Sequence, residues 1–351
     1  MLTKFARLIG ALGLVLASLG TAFAQSPPQV KLWGASATMD AYHGFLFLGN
    51  PLGFFEKQGV KVEFGTAAGS AATLQLLASG QVDMGYIGMD VLILAKSKNP
   101  SLPVKAVFLQ DRGNIYEVVV PADSPIRTIA DLKGKNIGVA NLASGAIPNL
   151  KGMLTDAKLN PNTDVSLIPV GNGAQAAAAL STGRVQALSL FRAQHALIET
   201  LGMKFRYFTR QAPSAVIAVN TQFLEKNRDA VVKVLRGVAL NSTFAQRNPQ
   251  AAVREYWKLY GAPKGVPEKE ALDRAAHVLT STAKLWKDSK DTATRWGDMD
   301  DATWNQMQQF LIQQQQLTTP LPVADLYTNA LIEAVNAVNL APAIDLANTA
   351  K

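Results

Sequence analysis

The chain contains no cysteine in 351 residues. That excludes disulfides, thiolate metal sites, a cysteine nucleophile and a lipid-modified N-terminal cysteine. An exported protein of this length does not need disulfides, because its core can hold the fold by itself. Histidine is nearly as scarce: His43, His195 and His277 are far apart, and none stands in a metal-ligand spacing such as HExxH. The GxSxG elbow, the Walker A loop and GxGxxG are missing too. Asp83 and Asp90 are close in sequence, but a strand and turn separate them; no paired acid and base emerges, and Asp83 reads as structural. No metal, cofactor or catalytic residue is expected. These absences point to binding without chemistry.

Charge is also modest. Charged residues make up 17% of the chain against 48% hydrophobic ones, as in ordinary soluble α/β proteins. The net charge is +8, to which Lys4 and Arg7 contribute two. The basic residues are spread out and accompany no nucleic-acid motif, so nucleic acid is not expected as a partner. Their plain role is solubility; the sharper reading is a mild preference for anionic ligands. One apolar run, Leu8 to Leu19, follows Lys4 and Arg7 and precedes Ala22-Phe23-Ala24. That is the pattern of a secretory signal peptide over residues 1–24, cleaved after Ala24. No later run reaches the ~20 residues a membrane helix needs. The expected mature chain is periplasmic and freely diffusing.

What is present is organised around Gly65 to Gly85, GTAAGSAATLQLLASGQVDMG. A Gly/Ser/Ala loop opens a small-residue helix, whose free N–H groups and dipole can seat an anionic or polar molecule. Gly69, Ser70 and Ala71 are the candidate contacts. A second copy, Asn172 to Ala187, repeats the small-residue helix, the Ser/Thr-Gly turn and the following valine. Two such units about a hundred residues apart suggest two similar α/β lobes rather than a solenoid. If the lobes face each other, both loops can address one ligand.

Along the chain, Val30 to Trp33 reads as a first strand opening into GASATMDAYHG. At the C-terminal edge of a parallel sheet, where ligands sit, Ser36, Thr38 and Tyr42 can supply hydroxyls. Gly88, Met89 and Asp90 form another strand-to-helix turn. Gln110 to Asn114 reads as the outgoing hinge, and Asn136 to Ala140 as a strand entering a loop with Ser144 and Gly145. Phe191 and Arg192 end a later strand, and an arginine there can clamp a carboxylate or sulfonate in fork geometry. After Thr221 the chain reads as helices over 223–245, 249–260, 269–282, 301–316 and 324–339. Trp257, Trp286, Trp296 and Trp304 are expected to pack these helices on the first lobe, the alternative being that one of them lines the cleft.

The segments GFFEKQGVKVEF, ASGQVDMGYIG, DSPIRTIADLKGKNIGVA and LYTNALIEAVN together resemble periplasmic substrate-binding proteins of ABC importers for nitrate, sulfonates, taurine and thiamine precursors. The resemblance spans nearly the whole mature chain. It implies an α/β, two-lobed type II binding protein, each lobe a mixed sheet flanked by helices, closing on ligand by a hinge. Lobe I would comprise residues 28–114 and 217–351, and lobe II residues 115–216. The resemblance also implies contacts from the loop after the first strand, from Gly69, Ser70 and Ala71, from Met89 and Asp90, from Ser144 and Gly145, and from Phe191 and Arg192. Asn114 in the hinge joins the expected site. Gln186 departs from the family's usual acidic residue after the second glycine turn. The hydroxyl-rich first loop also argues against nitrate.

The leading expectation is therefore a monomeric binding component that captures a small organic anion or polar heterocycle (a sulfonate, aromatic carboxylate or pyrimidine-like ring) for a permease. Two alternatives stand beside it: an enzyme like the thiamine pyrimidine synthases, against which the missing cysteine-rich motif counts, and a ligand-sensing module for a membrane receptor.

Overall fold

The computed structural model describes residues 26–142, 144–210 and 214–350. The expected signal peptide and its cleavage point lie outside them. Among the described residues, ten strands form two five-stranded sheets. The first contains β1 (Gln29–Gly34), β2 (Lys61–Thr66), β3 (Met84–Gly88) and β4 (Val104–Asp111). The second contains β5 (Tyr116–Pro121), β6 (Asn136–Val139), β7 (Ser166–Pro169), β8 (Ala187–Phe191) and β9 (Phe205–Phe208). The last strand, β10 (Ala215–Asn220), returns to the first sheet.

The two sheets share one plan. Their orders are β2-β1-β3-β10-β4 and β7-β6-β8-β5-β9. In each, four strands run in one direction and the fifth, arriving from the other half of the chain, lies antiparallel between two of them. The chain thus crosses between lobes twice, after β4 and after β9. Every residue of β10 is buried, which is why AVIAVN reads as a continuous apolar run: an interior strand is covered on both faces. β1 instead alternates between exposed and buried positions at its start, and Val30 and Leu32 face the core.

The small-residue helices Ser70–Ala78 and Gly173–Ser181 form where the sequence suggests. Three of the C-terminal helices differ from expectation. The segment 223–245 is broken at Asn227, whose φ of −132° separates Thr221–Lys226 from Arg228–Arg247. The helix from Asp301 stops at Gln313. The segment 324–339 is not one helix: Val323–Leu326 ends as Tyr327 pairs with Ala106 on β4, and helix resumes at Ile332–Asn336. β4 is a sheet edge, and its free backbone groups outweigh helix propensity here. The Thr328 N–H donates to Ala106 O at 3.0 Å, and the Leu109 N–H to Gly297 O at 2.9 Å.

Trp286, Trp296 and Trp304 are buried in the first lobe, Trp304 stacked on Tyr327 at 5.6 Å between centroids. Trp257 is only partly buried. Two C-terminal helices reach across to the second lobe. Glu268–Ala283 packs on Arg192–Glu199, and Asp301–Gln313 on Ala146–Asp156. At the second crossing Phe310 lies where a methyl at Gly152 would have to go. The Arg210 guanidinium caps the Phe310 ring at 3.6 Å. No helix among the described residues is long and apolar enough to cross a membrane.

Candidate functional site

The C-terminal ends of β1, β3 and β8 converge where the chain crosses between lobes, as expected of open α/β sheets. A cavity of about 70 Å³ lies there. Ala35, Ser36, Tyr42, His43, Phe45, Ser70, Tyr86 and Gly88 of the first lobe line one side, and Tyr116, Phe191, Arg192 and Ala193 of the second line the other. Ile115, Ala215 and Thr282 complete it.

Its body is aromatic. The Phe45 and Tyr86 rings meet edge to face at 5.0 Å, and Tyr42 and Phe191 do so at 6.0 Å across the lobes. Three helices begin at its wall: Ser70–Ala78, Met89–Lys98 and Arg192–Glu199. The hydroxyl of Ser70 accepts from the Gly88 N–H at 3.0 Å and also hydrogen-bonds with the Tyr116 hydroxyl.

Charge is almost fully compensated. The Arg192 guanidinium pairs with the Glu117 carboxylate, which is wholly buried. The second Glu117 oxygen lies 3.5 Å from His195 Nδ1, and burial holds the His195 pKa down despite Glu117. On the first-lobe side, Tyr86 donates to Asp111 Oδ2. Burial pushes the Asp111 pKa up to about 7, against the pull of that hydrogen bond. Burial also lowers the His43 pKa to about 4, and its Nδ1 accepts from the Asp40 N–H at 3.0 Å. The imidazole is therefore neutral at pH 7. Burial raises the pKa of Tyr42, Tyr86 and Tyr116, so all three phenols stay protonated. The cavity offers flat apolar faces, hydroxyl groups and the tip of the helix from Ser70, with one cation already paired; the first N–H groups of the helices from Met89 and Arg192 are taken by the Ser214 and Ile115 carbonyls.

Of the sequence candidates, Ser36, Tyr42, Ser70, Phe191 and Arg192 come together here. Asp90 and Asn114 line a second, smaller cavity of about 20 Å³ behind Tyr116, with Asn149, Arg210 and Ser214. Burial raises the Asp90 pKa to about 6. The others stand apart. Thr38 donates to Asp40 at 3.3 Å, Ala71 is exposed, and Met89 is packed in the core. Gly69 opens its helix at φ 105°, a left-handed value that favours glycine. Ser144 is not at the cavity wall; its hydroxyl accepts from the Ala146 N–H at 3.3 Å within its own helix start. Gly145 makes room for the Tyr116 hydroxyl, which a methyl there would strike. The second repeat copy does not reach the cavity either, and the Gly173 N–H is taken by Gln194 Oε1 at 3.1 Å.

Sequence reasoning missed His43, Phe45, Tyr86 and Tyr116. Tyr86 and Tyr116 sit on strands as ordinary β-formers, and no local signal separates a cavity-facing tyrosine from a core one. His43 had a usable signal, since it follows Tyr42 in the first loop.

A family model described as NMT1/THI5 like matches residues 40–252. The putative binding protein YtlA of Bacillus subtilis is 25% identical over 239 residues, 66% of this chain and 70% of that protein. The formylaminopyrimidine-binding protein of Halalkalibacterium halodurans is 24% identical over 222 residues, 61% of this chain and 66% of that protein. Among solved structures, the alkanesulfonate-binding protein SsuA of Xanthomonas axonopodis pv. citri, bound to MOPS, superposes with a TM-score of 0.63 at 17% identity. It covers 87% of this chain and 100% of its own. That likeness is one of fold: a two-lobed periplasmic-binding-protein architecture.

Proposed function

Because this chain belongs to the NMT1/THI5-like family, we propose that it is the solute-binding component of an ABC importer. It works in the periplasm as a monomer and hands its cargo to a permease. The cargo in this reading is a small flat ring with polar edges, of the aminopyrimidine or aromatic-amide kind. The observation that carries the ring class is the wall itself: five aromatic side chains from two lobes around hydroxyls and the tip of the helix from Ser70, with Arg192, the only cation lining it among the described residues, already held by Glu117. A neutral ring with hydrogen-bond acceptors fits such a wall better than a sulfonate, whose full charge would find no free counter-charge. The relative named for formylaminopyrimidine binding supports the same class.

Size supports closure by hinge. A dry cavity of about 150 Å³ admits benzene, and the space here is about half that. A ring enters when the lobes part at the two crossings and is then enclosed; ligand selects the closed state by its higher affinity for it. No bond is made or broken in the ligand.

The test is thermal denaturation of ligand-free protein against 4-amino-2-methylpyrimidine, benzamide, benzoate, methanesulfonate and nitrate. At a hundredfold excess over Kd, a ligand stabilises by about 2.7 kcal/mol. The aminopyrimidine or the amide should raise the melting temperature by several degrees and be recovered unchanged. Stabilisation by methanesulfonate or nitrate alone would overturn the ring class, and turnover of any bound compound would overturn transport.

A further inference from the structure

A second interlobe space adjoins the cavity. It is a groove of about 360 Å³, several times roomier than the cavity itself. Tyr42 and Ala193 line both, and this shared wall is the neck between the two spaces. The first lobe supplies Tyr256, Trp257, Ala275 and Val278, and the second supplies Gln194 and Leu197. Trp257 is partly buried, and Leu197 is 38% exposed although apolar. Tyr256 is held in place by donating its hydroxyl to Met39 O at 2.8 Å. At this neck Tyr42 is only 7% exposed, and its hydroxyl makes no well-formed hydrogen bond among the described residues, although the Ser36, Gln194 and Asp40 side chains lie near it. A buried hydroxyl without a well-formed hydrogen bond is costly, and an atom threaded through the neck would satisfy it. Asp40 is the one charged residue of the groove lining.

We propose that this groove is a second subsite, which takes a neutral apolar arm (aryl or short alkyl) of the ligand whose polar ring sits in the cavity. The proposal rests on the ring reading above and extends it. The arm passes between Tyr42 and Ala193, lies on Trp257 and Val278, and leaves a linking polar atom beside the Tyr42 hydroxyl. Asp40 at the rim excludes an arm that ends in a carboxylate or sulfonate. Both spaces are built from both lobes, so one elongated ligand holds the halves together at two places.

The test compares two probes by calorimetry: 4-amino-2-methylpyrimidine and 4-amino-2-(phenoxymethyl)pyrimidine, whose ether oxygen reaches the neck. Wild-type protein should bind the phenoxymethyl compound at least tenfold tighter. Ala275→Trp, which fills the groove, should abolish that gain and leave the methyl compound's affinity unchanged. Leu197→Glu, at an exposed position that accepts charge, should reduce the gain severalfold and serves if the first variant fails to fold. A para-carboxylate on the phenoxy ring should also remove the gain. If the methyl compound binds and the arm adds nothing, the subsite is overturned while the ring reading stands. An equal gain in wild type and both variants overturns it as well. Binding of neither probe overturns the subsite, and overturns the ring reading with it when benzamide also fails to bind.

Discussion

The two loop–helix units, residues 69–78 and 172–181, share a small-residue helix and equivalent places in equivalent sheets, yet only one meets the candidate ligand. In the first unit Ser70 stands at the cavity wall, braced by the Gly88 N–H. In the second the equivalent residue is Gly173, whose N–H is plugged by Gln194 and whose missing side chain leaves space that Leu197 approaches. A helix tip is a binding site only while no neighbouring side chain occupies it. The walls also treat buried acids differently: Asp111 is held by a phenol and pushed toward neutrality, whereas Glu117 is held by a guanidinium. Similar halves have diverged into a hydroxyl-bearing wall and a charge-paired wall.

The largest effect expected of this contrast is in stability against pH. Asp111 keeps its proton up to about pH 7 when folded, against an ordinary 3.8. Its contribution is full below the ordinary value and is lost as pH rises toward 7, by about 4 kcal/mol in all. His43 acts in the opposite sense: lowered from 6.5 to about 4, it contributes fully above 6.5 and loses that contribution as pH falls to about 4. Asp111→Asn should therefore gain on wild type by about 1.4 kcal/mol per pH unit between pH 4.5 and 6.5, measured by urea unfolding. A constant difference across that range would remove the contrast between the two acids.

Next in size is the pair of helix tips. Ser70→Leu should weaken binding of the best-stabilising ring compound at least a hundredfold, about 2.7 kcal/mol. Ala174→Leu, an exposed position one residue past the equivalent one, should stay within twofold by calorimetry. Equal losses would mean that both tips serve the ligand after all.

Glu117→Gln sharpens the contrast between walls. It leaves Arg192 without its buried partner and should shift the benzoate-to-benzamide affinity ratio toward benzoate about tenfold. An unchanged ratio would show that Arg192 does not face the ligand. The smallest effect belongs to the crossing at Phe310. Gly152→Ala displaces that ring, loosens the closed arrangement and should cost a fewfold in affinity with the off-rate raised, as read by stopped-flow fluorescence.

Much of the fold was legible because its signals are local. Strands such as Phe205–Phe208 and Ala215–Asn220, and the repeated loop–helix units, follow from apolar runs and glycine turns that report on neighbours along the chain. The break at Tyr327 was not legible, since it depends on an edge strand some two hundred residues earlier. The candidate site divided in the same way. Ser36, Phe191 and Arg192 lie at strand ends, and Tyr42 and Ser70 in the loop and helix that follow a strand, where topology alone directs attention. Ser144 looked equivalent to Ser70, and only packing showed that its hydroxyl serves its own helix.

Sequence alone determined the two-sheet plan, the missing cysteine chemistry and the set of strand ends from which a site must be drawn, because hydrophobic period and turn residues act over a few positions. Tertiary structure decided which helix tip stays open, that the arginine arrives already paired, and that four unremarked aromatic and imidazole side chains make the wall. Those outcomes depend on contacts between residues distant in sequence, where a single side chain such as Gln194 can close one of two otherwise matching sites.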